Sequence, residues 1–246
     1  MNLFGPAIAT HRGNKIIMGF LTLLAAGSAY LAWIKVHMPE ENGTPGDYRI
    51  YIVISILLGA YAVWTSKRLV VLHAEGITYR NLLGEQQMKW DDVQNFYYSA
   101  TKRSINFIPV GTYYSYKLLD AHGKKISLGT GIAQAKALGA RLIELTQLPL
   151  LKKATEQFNN GANVDFGPIK LDRVKGITVK KWLRGWKQVP LSEVHAYAIQ
   201  SGQFFIWGAG EKLLSASTLP DIPNAFVLHA LLDAIFKPKA QSAQAR

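Results

Sequence analysis

The sequence predicts an α+β protein, in which an N-terminal two-helix transmembrane hairpin is followed by two similar repeats of short strands and one helix. Three observations lead to this fold class. Two uncharged runs, Ile16–Ile34 and Ile50–Ser66, lie near the N-terminus. The tripeptide Gly-Ile-Thr begins at Gly76 and again at Gly176, each time next to strand-like segments. A stretch with helical spacing of apolar residues follows downstream of each copy.

The two apolar runs are long enough to cross a bilayer. They hold 19 and 17 residues, which at about 1.5 Å per residue cover most or all of a hydrocarbon core of about 30 Å. Because lipid cannot hydrogen-bond to the backbone, both runs should be helices. Small residues recur at a spacing that lets helices approach closely, with Ala25 before Ala29 and Ser55 before Gly59. A cleaved signal peptide is the weaker alternative, because no small-x-small cleavage site follows the first run.

Basic residues predict which side of the membrane each end occupies. Arg12 and Lys15 precede the first run, and Lys67 and Arg68 follow the second. Since basic residues favour the cytoplasmic side, we expect both termini inside and the connecting loop outside. Residues 67–246 hold 24 Lys or Arg and 13 Asp or Glu, a net charge of +11. This excess indicates attraction to anionic headgroups or, equally, the general positive bias of the cytoplasmic side.

An internal repeat organises the chain after the two runs. Each copy starts near Gly-Ile-Thr, passes an acidic residue followed by valine and then a hairpin, and ends in a helix-like stretch. These final stretches are Ala133–Thr146 and Asn224–Phe236. The predicted segments are a hairpin anchor at 1–68 with helices at about 16–34 and 50–66, a first repeat at 69–147, a partly helical linker at 148–164, a second repeat at 165–237 and a flexible tail at 238–246.

This order of strands, hairpin and helix resembles bacterial pleckstrin-homology-like (PH-like) domains, in tandem copies over most of Leu69–Phe236. The stretches NNGANVDFGPIKLDRVKGITV and LPDIPNAFVLHALLDAI look like a family of uncharacterised membrane proteins with PH-like folding. The resemblance implies a bent, mostly antiparallel sheet of about seven strands in each repeat, closed by the C-terminal helix. It implies no enzyme activity and no known ligand, because PH-like folds serve as platforms for lipids, peptides or proteins.

No catalytic, cofactor-binding or metal-binding set of residues emerges from the sequence. The six histidines lack the close spacing of a zinc pair, and there is no cysteine. The glycine-rich segment ISLGTGIAQAKALGA carries Gln134 where a dinucleotide fingerprint needs glycine or alanine. Asp91 and Asp92 are neighbours on a strand and so face opposite sides. We therefore expect a non-enzymatic protein without a cofactor, and no nucleic-acid partner, since no nucleic-acid motif occurs.

The most distinctive local feature is the basic stretch Lys170–Lys187, which has seven basic residues against the single Asp172. It includes the first hairpin of the second repeat, whose tip resembles the place where lipid-binding PH domains collect basic residues. Near a charged leaflet each cation could contribute about 1 kcal/mol. The alternative is a solvated hairpin whose tryptophans pack into the sheet core. The candidate anionic-lipid contacts are Lys180, Lys181, Trp182, Arg184, Trp186 and Lys187.

The function expected from the sequence is a membrane-anchored, non-enzymatic PH-like interaction platform for a protein partner, on the cytosolic face. One alternative is recognition of anionic lipid headgroups by the basic hairpin of the second repeat. Another is an accessory subunit of a membrane enzyme or transporter, although spans without charged residues offer no ion pathway by themselves. The expected location is the bacterial inner membrane, with both termini cytosolic.

Overall fold

The fold is α+β, with two N-terminal apolar helices, several antiparallel sheets and a C-terminal helix. The computed structural model describes residues 4–37, 47–105, 108–129, 131–181 and 185–244. The chain forms two compact units. The first unit contains Met1–Gln87 and Gly131–Ala135, and the second contains Met88–Thr130 and Lys136–Arg246.

A four-stranded antiparallel sheet carries the two apolar helices of the first unit. Its strands, in the order in which they pair, are β1 (Ala7–Arg12), β2 (Leu69–His73), β3 (Gly76–Asn81) and β4 (Gly84–Lys89). The helices α1 (Lys15–His37) and α2 (Asp47–Ser66) lie in the connection between β1 and β2. Both are long and apolar enough to span a membrane, and only 6% and 11% of their most apolar stretches are buried inside the protein. They therefore differ from core helices of a soluble domain, which would be mostly buried.

The ends of the helix pair are tied together by backbone hydrogen bonds. Strand β1 precedes α1 and pairs with β2 from Arg12 opposite Leu69 onwards. The Gly13 N–H donates to the Arg68 carbonyl at 3.0 Å. The Asn14 side-chain oxygen accepts from the Ile16 N–H at 3.0 Å, which caps the first turn of α1. The start of α1 and the end of α2 therefore lie side by side.

Residues 131–133 also bind the backbone at the start of α1. The Asn14 N–H donates to the Gly131 carbonyl at 2.6 Å, and the Ala133 N–H donates to the Arg12 carbonyl at 2.8 Å. The glycine-rich stretch that contains Gln134 is thus a connection between a strand and a helix, and it is held by the backbone of Arg12 and Asn14.

Between α1 and α2 the contact is partly polar. The hydroxyl oxygens of Ser28 and Ser55 lie 2.7 Å apart, so one donates to the other across the helices. Since each hydroxyl has one proton, the hydroxyl that accepts across the helices donates to a carbonyl in the preceding turn of its own helix, that of Leu24 for Ser28 or that of Tyr51 for Ser55. At Gly59, by contrast, an added β-carbon would meet nothing within 4 Å. Ser55 therefore lies in the helix contact and Gly59 does not.

In its described residues, the second unit contains three antiparallel sheets and two α-helices. The first sheet has the order β5 (Val93–Ile105), β6 (Ile108–Asp120), β7 (Lys125–Leu128), and α3 (Ala135–Asn159) follows it. The next sheet has the order β11 (Gly185–Val189), β10 (Gly176–Lys181), β9 (Ile169–Asp172), β8 (Val164–Phe166). The last has the order β12 (Val194–Gln200), β13 (Gln203–Gly208), β14 (Leu213–Thr218), and α4 (Ala225–Gln244) ends the fold.

The same order of elements occurs twice along the chain. A four-stranded sheet, a three-stranded sheet and a helix follow one another in β1–α3 and again in β8–α4. The first two strands of each set pair antiparallel. Gly167 and Pro168 connect β8 to β9, whereas the helix pair α1–α2 connects β1 to β2. The apolar helices thus occupy the position of a two-residue turn in the other set.

Candidate functional site

The predicted basic hairpin is formed by β10 and β11. Lys180 lies opposite Trp186, Val179 opposite Lys187 and Lys181 opposite Gly185. Gly185 has a φ of +69°, a conformation that glycine adopts without the steric cost of a β-carbon. Of the six candidate contacts, Trp182 and Arg184 lie outside the described residues, and only the backbone of Lys181 is described.

The alternation of side chains divides the remaining candidates between two faces. Ile177 and Val179 of β10 are buried, whereas Lys180 is exposed. Because successive residues point to opposite faces and directly paired residues share a face, Trp186 lies on the outer face with Lys180. Lys187 lies on the same face as Val179. The structure therefore brings Lys180 and Trp186 together and places Lys187 on the other side of the strand.

A residue outside the predicted set completes the outer face. Lys170 of β9 lies opposite Thr178 of β10, and its Nζ is 4.9 Å from the ring centroid of Trp186. This distance is within the range of a cation–π contact. Trp186 is 48% exposed, so the indole stands on the outer surface and not in the sheet core. The basic stretch includes Lys170, but its position beside Trp186 depends on a strand register that sequence alone does not provide.

The charges around this outer face are mainly positive. Lys170 forms an ion pair with Asp165, with Nζ and Oδ2 3.0 Å apart. The only acidic residue of the basic stretch, Asp172, is engaged elsewhere, because its Oδ1 accepts from the N–H groups of Val174 and Lys175 at 2.8 Å. These two backbone donors lower the pKa of Asp172. Asp172 therefore stabilises the β9–β10 turn as a carboxylate, and Lys180 is exposed to solvent.

The outer face combines a half-exposed indole with flanking ammonium groups. Indole rings favour the boundary between apolar and polar phases, and lysines on such a boundary extend their ammonium groups into the polar phase. An anionic group at that boundary would meet Lys180, which lies opposite Trp186, and Lys170 of the next strand. We define the outer face by Lys170, Lys180 and Trp186.

The second unit also contains a polar cluster that the sequence did not predict. The Tyr197 hydroxyl donates to the Asp233 carboxylate, and His229 Nδ1 lies 3.7 Å from Asp233 Oδ2. Burial, followed by the Asp233 contact, raises the pKa of Tyr197. These contacts link β12 to α4. The only sequence signal for this cluster is the (i, i+4) spacing of His229 and Asp233. Within the described ranges, no three His, Asp or Glu side chains cluster closely enough to hold a metal ion.

Comparison with known proteins assigns the chain to a family. No curated protein matches the sequence. One family model matches residues 2–241, which is nearly the whole of the 246-residue chain. The match covers both apolar helices, the fourteen strands found in the described ranges and most of α4. The chain therefore belongs to the family of unknown function DUF6585.

Proposed function

We propose that this protein is a membrane-anchored, non-enzymatic interaction platform, with two PH-like repeats on the cytosolic face of a bacterial inner membrane. The observation that carries the proposal is the pairing of β1 with β2 on either side of the helix pair. Because these strands are neighbours in one sheet, α1 starts and α2 ends at the same place. Two membrane-length helices with adjacent ends fit a hairpin that enters and leaves the bilayer on one side.

Surface chemistry supports the anchoring. Large apolar side chains such as Leu23, Ile56 and Leu57 are 73%, 65% and 63% exposed. Contiguous apolar surface of this kind is unfavourable in water and needs a partner phase. The basic residues that flank the helix pair are Arg12, Lys15, Lys67 and Arg68. They favour a cytosolic location for the start of α1 and the end of α2.

The PH-like assignment is supported by the order of elements. Four strands, three strands and a helix follow one another twice, and neighbouring strands in each sheet are consecutive in the chain. Sheets built in this way expose strand edges and outer faces on which partners can bind. We therefore assign a recruiting role to the repeats and an anchoring role to the inserted helix pair.

Two measurements on the full-length protein test this proposal. First, flotation of membranes from the producing cells, washed with urea and high salt, should leave the protein in the lipid fraction. Second, chemical crosslinking in intact membranes followed by purification should recover a defined partner. Recovery in the aqueous fraction would contradict the anchor. Turnover of a metabolite by the purified protein would contradict the non-enzymatic role.

Recognition of anionic lipid headgroups is the second candidate function, and the outer face favours it. Lys170 and Lys180 lie on the same face of the sheet as the exposed indole of Trp186. Near an anionic leaflet, each ammonium group would contribute about 1 kcal/mol. The measured quantity is the anionic lipid that remains with the full-length protein after purification in mild detergent.

Lys187 provides the matched control for this measurement. It lies on the same strand as Trp186 but on the opposite face. We expect Lys170→Gln combined with Lys180→Gln to lower the retained anionic lipid, and Lys187→Gln to leave it unchanged. Equal loss in both variants would show that the retention depends on net charge and not on the outer face.

A further inference from the structure

The β3–β4 turn of the first unit carries two exposed leucines. Leu82 is 52% exposed and Leu83 is 86% exposed, although turns ordinarily carry small or polar residues. The Asn81 side-chain oxygen accepts from the Leu83 N–H at 2.8 Å. Gly84 takes the positive φ of the turn, +135°. The turn is thus held by Asn81 and Gly84, and the two leucine side chains extend into the surroundings of the protein.

The strand register places this turn at the same edge of the sheet as the two apolar helices. Arg12 of β1 lies opposite Leu69 of β2, and Leu69 lies opposite Arg80 of β3. These three residues form a row across the four-stranded sheet of the first unit. Beyond the row, β1 continues towards α1, β2 is preceded by α2, and β3 runs on to Leu82 and Leu83. The turn and the helices therefore leave the sheet at one edge.

The turn extends beyond the row by nearly as much as the chain does before the helices. Leu82 follows Arg80 by two residues, which is about 7 Å at about 3.3 Å per residue. Helix α2 ends at Ser66, three residues before Leu69. Because β3 is the neighbour of β2, the two strands are about 5 Å apart. The turn therefore lies beside the end of α2, and α1 and α2, which are mostly exposed, do not fold back along the sheet.

The residues around the turn suit a lipid–water boundary. The acidic residue nearest to the turn in sequence is Glu85, and its Oε2 accepts from Arg80 Nε at 2.9 Å and from Arg80 Nη2 at 2.5 Å. This ion pair compensates the carboxylate charge. Trp64, in the last turn of α2, is 43% exposed, and indole rings favour the depth of the headgroups. Lys15 and Lys67, at the helix ends, are exposed and could meet lipid phosphates.

We propose that Leu82 and Leu83 insert into the interfacial layer of the bilayer that α1 and α2 span, on the side where α1 starts and α2 ends. The two side chains would leave water for the boundary of the acyl chains, as the apolar residues of interfacial segments do. The β2–β3 turn, at the opposite end of the same two strands, would stay in water. The inference rests on the proposed membrane anchoring and adds to it a second contact with lipid, made by the sheet itself.

A single probe on the full-length protein tests the insertion. The natural sequence has no cysteine, so Leu83→Cys gives one site for an environment-sensitive fluorophore. The matched control is Ala74→Cys, which places the fluorophore in the exposed β2–β3 turn. Both proteins are reconstituted into zwitterionic vesicles in which part of the lipid carries a nitroxide quencher high on the acyl chain. We expect quenching at position 83 to exceed quenching at position 74 by about twofold or more.

A second labelling position keeps both leucines available for substitution. Gln86 is exposed on β4, close to the turn, and Gln86→Cys places the fluorophore there. Leu82→Ser combined with Leu83→Ser should lower the quenching at position 86, because the turn loses its apolar side chains. Leu82→Met combined with Leu83→Met is the matched control and should leave the quenching unchanged, because both side chains stay apolar. Equal quenching in the serine and methionine variants would overturn the insertion of the leucines.

The outcomes separate this inference from the proposed function. A protein that floats with the vesicles but is quenched equally at positions 83 and 74 would overturn the insertion and leave the helix anchor intact. A protein that stays in the aqueous fraction would overturn the anchor and the insertion with it. Quenching at position 83 should be independent of the protein-to-lipid ratio. A blue shift that grows with protein density, without quenching, would show that a second copy of the chain covers the leucines and would overturn the lipid contact.

Discussion

Gly13 lies so close to Thr65 that a β-carbon at Gly13 would stand 2.0 Å from the Thr65 carbonyl oxygen. Thr65 is itself buried, and its hydroxyl donates to the Ala62 carbonyl at 2.9 Å. The last turn of α2 therefore passes directly over the residue that joins β1 to α1. Because the contact is with backbone, a side chain at position 13 cannot be accommodated by a change of rotamer.

The first prediction concerns this contact. Gly13→Ala should lower the free energy of unfolding of the full-length protein in mild detergent by about 2 kcal/mol or more, because the backbone of β1 or of α2 must move. Gly27→Ala in α1 is the matched control, since a β-carbon there meets nothing within 4 Å. Thermal unfolding of the two variants measures the difference. An equal effect of both substitutions would show that the base of the helix pair is loosely packed.

A second prediction concerns Asn224, which precedes α4 and binds the backbone of β5. Its Nδ2 donates to the Gln94 carbonyl at 2.7 Å, and its Oδ1 accepts from the Phe96 N–H at 2.8 Å. Asn224→Gly removes both hydrogen bonds and should cost about 1–3 kcal/mol. Asn224→Ala should cost about 1 kcal/mol more, because the φ of +54° disfavours residues with a β-carbon other than Asn or Asp.

Urea unfolding of the full-length protein measures both Asn224 variants. The order of stability expected is natural protein, then Asn224→Gly, then Asn224→Ala. If Asn224→Ala were as stable as the natural protein, the link between α4 and β5 would contribute nothing.

A third prediction concerns alkaline pH. Tyr116 is almost fully buried, and a β-carbon on Gly139 of α3 would stand 2.1 Å from its hydroxyl oxygen. Burial raises the pKa of Tyr116 above its usual value of about 10. Burial also raises the pKa of Tyr98, whose ring centroid lies 5.7 Å from that of Tyr116. These groups thus favour the folded state only while their phenols stay neutral.

The sign of the pH effect follows from linkage. A pKa that is higher in the folded state gives stability that is fully present below the unfolded pKa and is lost as the pH rises through the folded pKa. The free energy of unfolding should therefore fall above about pH 10. Tyr116→Phe should reduce the steepness of that fall, whatever its effect at neutral pH. Identical slopes between pH 9 and 11 for the two proteins would contradict this prediction.

The helices and the fold class could be predicted because their signals are local. Uncharged runs of membrane length indicate helices wherever they occur, and α1 and α2 extend the predicted runs by only a few residues. Strand β1 was missed because its sequence, Ala-Ile-Ala-Thr-His-Arg, is short and becomes a strand only by pairing with β2 across both helices. The helix-like stretch that was predicted to end at Thr146 continues through Pro149 to Asn159 as α3.

The candidate site could be predicted in composition but not in arrangement. The basic stretch around Trp186 was evident from residue counts. Its division into two faces depends on which residue of β10 lies opposite which residue of β11, and the contact of Lys170 with Trp186 depends on β9 as well. Register is set by the turns and by the buried pattern of the whole sheet. Sequence spacing alone therefore grouped Lys187 with Lys180, although the two lie on opposite faces.

The most direct test of the account is the position of three introduced cysteines relative to the membrane of intact cells. Gly43→Cys lies between the two helices, Ala7→Cys lies in β1 and His122→Cys lies in the β6–β7 turn. A hairpin with its tied ends in the cytosol predicts that a membrane-impermeant maleimide labels only position 43, and that all three positions react after the cells are lysed. Labelling of position 7 or 122 in intact cells, or protection of position 43, would contradict a two-helix hairpin that holds the rest of the protein at the inner face of the membrane.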